Sequence, residues 1–269
     1  MYKDLFTVFG YTLQSHSVMS IVAIILGYGV ALGMARGTAY YKHIQNFVIP
    51  GVIAAIIGAR LWHVFVFHWS FYAQHPLQIV AIWAGGISIE GAIVGGIVAV
   101  IVYVYVHKIN FWEFADYLSP AMILAMGIGR IACFLAGDAF GRPTGGSWGV
   151  TFPAGTIAHQ YYGSQALWPS IAFESQGDMV LFAILFILFT KAGKRLANGW
   201  VFLFFVFLYD LERFLLGFTR GDSPRDALNL TGGQWSAIVM MVISLGLMVY
   251  LLVRYGLMKK EEPEPETGA

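Results

Sequence analysis

Long apolar runs, broken by short polar or charged stretches, recur along the whole chain. Seven of them are long enough to cross a bilayer, because a transmembrane helix needs about 20 apolar residues. We therefore predict an all-α polytopic membrane protein with seven transmembrane helices in a single membrane domain, residues 1–260. The predicted spans are 16–35, 47–68, 77–106, 119–136, 174–191, 199–217 and 234–254.

The third run is longer than one membrane thickness and is rich in glycine. Its glycines are Gly85-Gly86, Gly91 and Gly95-Gly96. We interpret the run as a broken or re-entrant segment followed by a helix. Such a segment needs surrounding protein to bury its irregular backbone.

Two segments lie outside the apolar runs. Residues 137–169 are long for a loop and rich in glycine and aromatics, which predicts an ordered extracytoplasmic cap. Residues 261–269, EEPEPETGA, predict an acidic, solvated cytoplasmic tail. The aromatic residues of the cap are Phe140, Trp148, Phe152, Tyr161, Tyr162 and Trp168.

Composition narrows the class of protein. The chain is 58% hydrophobic and 12% charged, against about 45–50% and about 25% in soluble proteins, which excludes a soluble enzyme. A net charge of +1 does not provide the strongly basic surface that nucleic-acid binding needs. The single Cys133 excludes a disulfide framework and a cysteine-type zinc site. Four histidines, at 63, 68, 75 and 159, lack the spacing of metal ligands, so we predict no metal site.

The distribution of lysine and arginine predicts the orientation. With seven spans, nine basic residues fall on one face and four on the other, and the richer face is expected in the cytoplasm. The N-terminus is then outside and the C-terminus cytoplasmic. The nine are Arg36, Lys42, Lys108, Lys191, Lys194, Arg195, Arg254, Lys259 and Lys260; the four are Lys3, Arg142, Arg220 and Arg225.

Three arginines, Arg60, Arg130 and Arg213, fall inside predicted spans. A lipid-facing charge at a helix centre costs at least about 2.5–3.5 kcal/mol, so we expect buried acids or a lipid anion as their partners. Arg213 and Arg220 are two helical turns apart and predict a basic stripe that binds an anion. The acids in or beside spans are Glu90, Asp138, Asp210 and Glu212.

Structural alternatives exist for several of these residues. Arg60 serves equally well as a structural ion pair within the bundle. Arg130 follows two glycines that thin its helix, which favours a ligand-binding role. Arg225 is interpreted as an interface anchor, and Cys133 as a small hydrophobe.

Residues 116–153, DYLSPAMILAMGIGRIACFLAGDAFGRPTGGSWGVTFP, resemble the signature of the bacterial prolipoprotein diacylglyceryl transferases. Further matches are GARLWHVF at 58–65, GGISIEGAIVGG at 85–96, and Pro169-Ser170 with Glu174. In the sixth span the matches are Tyr209, Arg213, Phe214 and Arg220, followed by Asp222 and Gln234.

The resemblance implies a cytoplasmic-membrane enzyme with seven spans and an external N-terminus. It implies transfer of diacylglyceryl from phosphatidylglycerol to the lipobox cysteine of an exported prolipoprotein, with no cofactor and no metal. Arginines suit a departing phosphate, since they bind it bidentately and stay charged. By this resemblance we expect substrate binding by Arg60, Arg130, Gly141, Tyr209 and Arg220, and catalysis by Glu90, Asp138 and Arg213. We expect a monomer.

Several positions depart from the family pattern. Two asparagines are replaced by Cys133 and Ala136, a glutamate by Asp138, and a histidine by Glu90. A carboxylate at Glu90 serves as a base if burial raises its pKa. Three readings follow: an active transferase with an altered site, a related phospholipid-using transferase with another acceptor, or a non-catalytic phospholipid-binding membrane protein.

Overall fold

The computed structural model describes residues 4–8, 11–82, 85–193 and 195–258. Within these ranges a short antiparallel hairpin, β1 (Asp4–Val8) and β2 (Tyr11–Gln14), precedes nine α-helices, and Thr7 lies opposite Thr12. The helices are α1 (Ser15–Ala35), α2 (Tyr40–Trp62), α3 (Trp69–Gln74), α4 (Ile89–His107), α5 (Phe111–Ala136), α6 (Ile157–Tyr162), α7 (Ser170–Ala192), α8 (Trp200–Gly217) and α9 (Gly232–Tyr255).

Six helices of the described chain are long and apolar enough to cross a membrane: α1, α2 with the turn that follows it, α4, α5, α7 and α9. The prediction of an all-α polytopic membrane protein is confirmed. Helix α8 was expected to be a further span, but it carries Asp210, Glu212 and Arg213 within 18 residues. The count of seven therefore stays a prediction.

The third apolar run is broken, as predicted. A 3₁₀-helix spans Pro76–Val80, and residues 85–88 are non-helical before α4 begins at Ile89. Gly85 and Gly86 have φ of 84° and 76°, a region that glycine adopts without strain. The Ser88 hydroxyl accepts a hydrogen bond from the amide of Gly91 at 3.3 Å and caps α4.

The chain divides into two compact units. One, residues 35–114, is built on α2 and α4. Their backbones meet at glycines: a Cβ on Gly58 would lie 2.8 Å from the Cα of Gly95, and one on Gly91 would collide with the carbonyl of Gly58. Small residues permit this close packing of membrane helices.

The second unit comprises residues 1–34 and 115–269. Asp116 on α5 accepts hydrogen bonds from the amides of Gly199 at 2.7 Å and Phe202 at 2.8 Å, and so caps the start of α8. At the start of α9, Thr231 and Gln234 form a reciprocal capping box. The buried Gln234 also donates to the carbonyl of Phe214 on α8 at 3.0 Å.

Residues 137–169 pack around an apolar core of their own. Phe140, Phe152, Ala158 and Leu167 form a buried apolar cluster, and Leu167 exchanges two backbone hydrogen bonds with Val150, each 2.9 Å long. The aromatics therefore supply the core of this segment, which we call the cap. The predicted acidic tail, 261–269, lies outside the described residues.

Candidate active site

Three arginines converge on one buried carboxylate, that of Glu174 on α7. Its oxygens lie 3.1 Å from Nε of Arg130, 3.2 Å from an Nη of Arg213 and 2.7 Å from an Nη of Arg220. The Glu174 side chain is only 6% exposed, whereas those of Arg130 and Arg213 are 22% and 28% exposed. We call these four residues the arginine cluster. The side chains of Arg130 and Arg213 are therefore partly accessible, whereas that of Glu174 is not.

Close helix packing positions Arg130 beside Glu174. A Cβ on Gly127 would lie 3.0 Å from Cβ of Asp178, so α5 approaches α7 as closely as glycine allows. Ser175 donates to the carbonyl of Gly127 at 2.9 Å and fixes the register. Gly129 faces open space, which leaves room on that side of the Arg130 turn.

The two arginines at the end of α8 reach Glu174 by different routes. Arg213 lies on the helix, but α8 ends at Gly217, so the expectation of a helical stripe that includes Arg220 is wrong. The amides of Thr219 and Arg220 bond back to Leu216 and Gly217 in tight turns. Arg225, interpreted as an interface anchor, donates to the carbonyls of Gly217, Phe218, Arg220 and Asn229 and caps the end of α8.

Arg220 is fully engaged by the protein. Besides Glu174, its Nε donates to Asp222 at 2.8 Å and an Nη donates to the second oxygen of the same carboxylate. Burial alone would lower the pKa of Arg220, but the bidentate bond to Asp222 and the charge of Glu174 outweigh it and raise that pKa. Arg220 is therefore a fixed charge that holds Glu174 in place.

A narrow cavity of about 10 Å³, with room for about one water molecule, lies beside the arginine cluster. It is far smaller than the roughly 300–1,000 Å³ of small-molecule pockets. Among the described residues, Oδ2 of Asp178 and both carboxylate oxygens of Glu212 are buried without a hydrogen-bond partner. These buried oxygens face a space that one water molecule can fill. Its lining residues are Arg130, Glu174, Asp178, Tyr209, Glu212 and Arg213.

Gly141 joins the cap to the segment that carries Arg220. The two residues form an antiparallel bridge, and a Cβ on Gly141 would collide with the carbonyl of Trp168. The amide of Arg142 donates to the carbonyl of Thr219 at 2.9 Å. Glycine is thus needed at 141 for packing that orients Arg220.

Asp138 lies just past the end of α5 and pairs with a residue that sequence analysis did not select. Its carboxylate is 2.7 Å from Nε2 of His16, at the start of α1, and both side chains are about 40% exposed. Gly137, with φ of 68°, turns the chain at this point. Asp138 is therefore an accessible carboxylate with a histidine partner.

The remaining predicted residues belong to the unit 35–114. Glu90 is exposed and accepts a hydrogen bond of 2.5 Å from Ser88. Arg60 is buried, but the acid expected as its partner is replaced by backbone carbonyls in the described chain. It donates to those of Gln78, Ile79, Gly85 and Gly86 at 2.5–2.9 Å, and its guanidinium lies 5.1 Å from the ring of Tyr72. Arg60 thus holds the broken segment.

Sequence reasoning missed three acids of this site. Glu174 was matched as part of a motif but was given no role, and Asp178 and Asp222 were not selected as site residues. The signal for Glu174 was its position after Pro169-Ser170, one helical turn into a span, with a second acid, Asp178, one turn further on. Nothing in the local sequence indicates that three arginines from other segments meet there.

The sequence was compared with known proteins. A model of the protein family described as "Prolipoprotein diacylglyceryl transferase" matches residues 3–250. A phosphatidylglycerol–prolipoprotein diacylglyceryl transferase of Acaryochloris marina is 33% identical over 99% of this chain and 95% of its own length. Proteins of the same name from Nostoc and Staphylococcus aureus are 35% and 30% identical, covering 79% and 89% of this chain and 76% and 85% of their own lengths.

Proposed function

The chain belongs to the prolipoprotein diacylglyceryl transferase family, and we propose that it transfers diacylglyceryl from phosphatidylglycerol to the lipobox cysteine of an exported prolipoprotein. The observation that carries this proposal is the arginine cluster, three guanidiniums around one buried carboxylate in a membrane protein. Buried cations of this kind suit a phosphate that gains charge as it departs.

The phosphate of the donor lipid binds Arg130 and Arg213. Both donate to Glu174 through one edge and keep a partly exposed guanidinium. A planar guanidinium binds two phosphate oxygens at once. Arg213 is the catalytic cation, because it meets the phosphate as the glyceryl–oxygen bond breaks, and Arg130 and Tyr209 bind the substrate.

The reaction exchanges a carbon–oxygen bond for a carbon–sulfur bond. The lipobox sulfur attacks the glyceryl carbon as a thiolate, and the bonding electrons leave with glycerol phosphate. A base must take the thiol proton. We propose Asp138 as this base, because the His16 imidazole lies 2.7 Å away and can share the proton. Glu90, expected to act as a base only if buried, is exposed and accepts a hydrogen bond from Ser88, so its catalytic role stays a prediction.

Other predicted residues act by positioning. Arg220 and Gly141 hold the carboxylate of Glu174 in place through the bridge between their segments. Arg60 holds the backbone at Gly85 and Gly86, ahead of Glu90, rather than contacting the lipid directly.

The protein is a multi-pass membrane protein of a bacterial family. We propose that it resides in the cytoplasmic membrane with its N-terminus and cap outside and its C-terminus in the cytoplasm, and that it acts as a monomer. This orientation places the cap on the side where exported prolipoproteins arrive.

The test uses purified full-length protein in detergent, phosphatidylglycerol and a lipobox peptide, with peptide mass and released glycerol phosphate measured together. A diacylglyceryl-sized mass gain is expected, and it should vanish in Arg213→Ala but persist in Arg254→Ala, an arginine outside the cluster. Glycerol phosphate without peptide modification would indicate another acceptor. Neither product, with phospholipid still bound, would support a non-catalytic lipid-binding protein.

A further inference from the structure

The first helix and the end of the fifth bring together three different metal-binding side chains. His16 lies in the first turn of α1, Cys133 in the last turn of α5, and Asp138 just beyond it. One ligand atom from each lies within 4.8 Å of the other two. We propose that these three residues bind a divalent transition metal ion, with Zn²⁺ as the best match, and that the ion ties α1 to α5.

The donor set selects the class of ion. An imidazole nitrogen, a thiolate sulfur and a carboxylate oxygen are the three ligand types of protein zinc sites, at about 2.0–2.3 Å from the ion. A thiolate disfavours Mg²⁺ and Ca²⁺, which take oxygen ligands. Three protein ligands leave the fourth tetrahedral position to water.

The distances require only side-chain adjustment. Bond lengths of about 2.0–2.3 Å in a tetrahedron place ligand atoms about 3.5 Å apart. The His16–Asp138 pair, now 2.7 Å apart, would open slightly, and the sulfur of Cys133 would move inward from a separation of at most 4.8 Å. The half-exposed His16 and Asp138 side chains have room for such movement.

The backbone turn after α5 makes the site. In a continuing helix, residues five apart lie about 140° apart around the axis, so Cys133 and Asp138 would not share a ligand. Gly137 adopts a left-handed φ of 68° and its amide bonds to the carbonyl of Cys133 at 3.0 Å. This turn folds Asp138 back over the last helical turn, toward His16.

The charges around the proposed metal site affect how strongly it binds a cation. Arg130 lies one turn from Cys133, and its positive charge opposes metal binding. Glu174 offsets that charge at 3.1 Å, and Asp222 engages Arg220. Cys133 and Asp138 are also two of the positions where this sequence departs from the family pattern. Asp138 cannot bind the ion and act as the base of the proposed transfer at the same time, so Co²⁺ binding is measured separately from transfer. The histidine of this site, His16, is not among the four whose spacing predicted no metal site.

Cobalt provides a direct test, because Cys133 is the only cysteine in the chain. Full-length protein carrying a tag without histidine is stripped with chelator in detergent and titrated with Co²⁺. We expect one equivalent to bind with a sulfur-to-cobalt charge-transfer band and the absorption of a tetrahedral ion. Zn²⁺ should abolish the band and protect Cys133 from alkylation.

Substitutions show which side chains bind the metal ion. Cys133→Ser should abolish the band, and His16→Gln and Asp138→Asn should each weaken Co²⁺ binding by at least about tenfold, since even outer-shell changes cost that much. His75→Gln, at an exposed histidine outside the proposed metal site, is the matched control and should bind Co²⁺ normally. Absence of the charge-transfer band in the wild type, or equal Zn²⁺ binding by wild type and Cys133→Ser, would overturn the proposal. Size-exclusion profiles identify any variant that fails to fold.

Discussion

Removing the charge of Glu174 is the most direct perturbation of the arginine cluster. Glu174→Gln keeps the shape of the side chain but leaves Arg130, Arg213 and Arg220 facing one another without the anion between them. At 2.7–3.2 Å, with an effective dielectric constant of about 20, each lost attraction is on the order of 5 kcal/mol before desolvation is considered.

The net cost is smaller than the sum of these attractions. The three arginines repel one another in the wild type as well as in the variant. Burying a neutral glutamine costs less desolvation than burying a glutamate, and its amide oxygen still accepts a hydrogen bond. Breaking a buried ion pair by removing one partner typically costs about 3–5 kcal/mol. For a chain of this size, 1 kcal/mol changes Tm by about 2–4 °C, so we expect Tm to fall by about 6–20 °C.

Thermal unfolding of the purified protein in detergent measures this change. Glu212→Gln is the matched control, because Glu212 lines the same cavity but its carboxylate has no hydrogen-bond partner among the described residues. We expect its Tm to be unchanged or higher. If Glu174→Gln unfolded at the wild-type temperature, or if both variants lost equal stability, Glu174 would not be the counter-charge that holds the cluster together.

Three further predictions concern catalysis, capping and packing. Arg130→Ala and Arg213→Ala should each reduce diacylglyceryl transfer by at least about 10²-fold, the usual cost of one charge-stabilising donor; transfer at a near-normal rate would contradict the assigned phosphate contact. Asp116→Ala should lower the free energy of unfolding by about 0.5–2 kcal/mol, since α8 loses its cap, whereas unchanged denaturant unfolding would show that the cap adds nothing. Gly95→Leu should separate α2 from α4 and cost at least about 1–3 kcal/mol, with Gly96→Leu, whose added Cβ meets open space, as the tolerated control in the same Tm measurement.

The sequence predicted most of what depends on local pattern. Apolar runs located the helices that can cross a membrane, and paired glycines located the break before α4. Helix ends were less accurate: α5 begins at Phe111 and α7 at Ser170, because polar residues extend these helices beyond their apolar runs. Hydropathy detects the bilayer, whereas a helix continues wherever its backbone hydrogen bonds are satisfied.

The sequence could not predict which groups pair across the fold. The spacing of Arg213 and Arg220 indicated one helical face, yet the chain leaves the helix at Gly217 and returns Arg220 through a turn. Glu174 is far from all three arginines in sequence. His16 lies in the first turn of α1 and Cys133 in the last turn of α5, so no local motif relates them. These pairings come from helix packing, which the order of residues constrains only weakly.

The contacts of the arginines divide the cluster into a fixed and an available part. Arg220 donates to Glu174 and, bidentately, to Asp222, and its side chain is only 10% exposed. Arg130 and Arg213 contact only one acid each in the described chain, and they are more exposed. A phosphate therefore competes with Glu174 for Arg130 and Arg213. Arg220 meanwhile keeps the Glu174 carboxylate in place when these two arginines turn to the phosphate. For this reason loss of Arg130 or Arg213 should lower transfer more than stability, and loss of Glu174 should lower stability first.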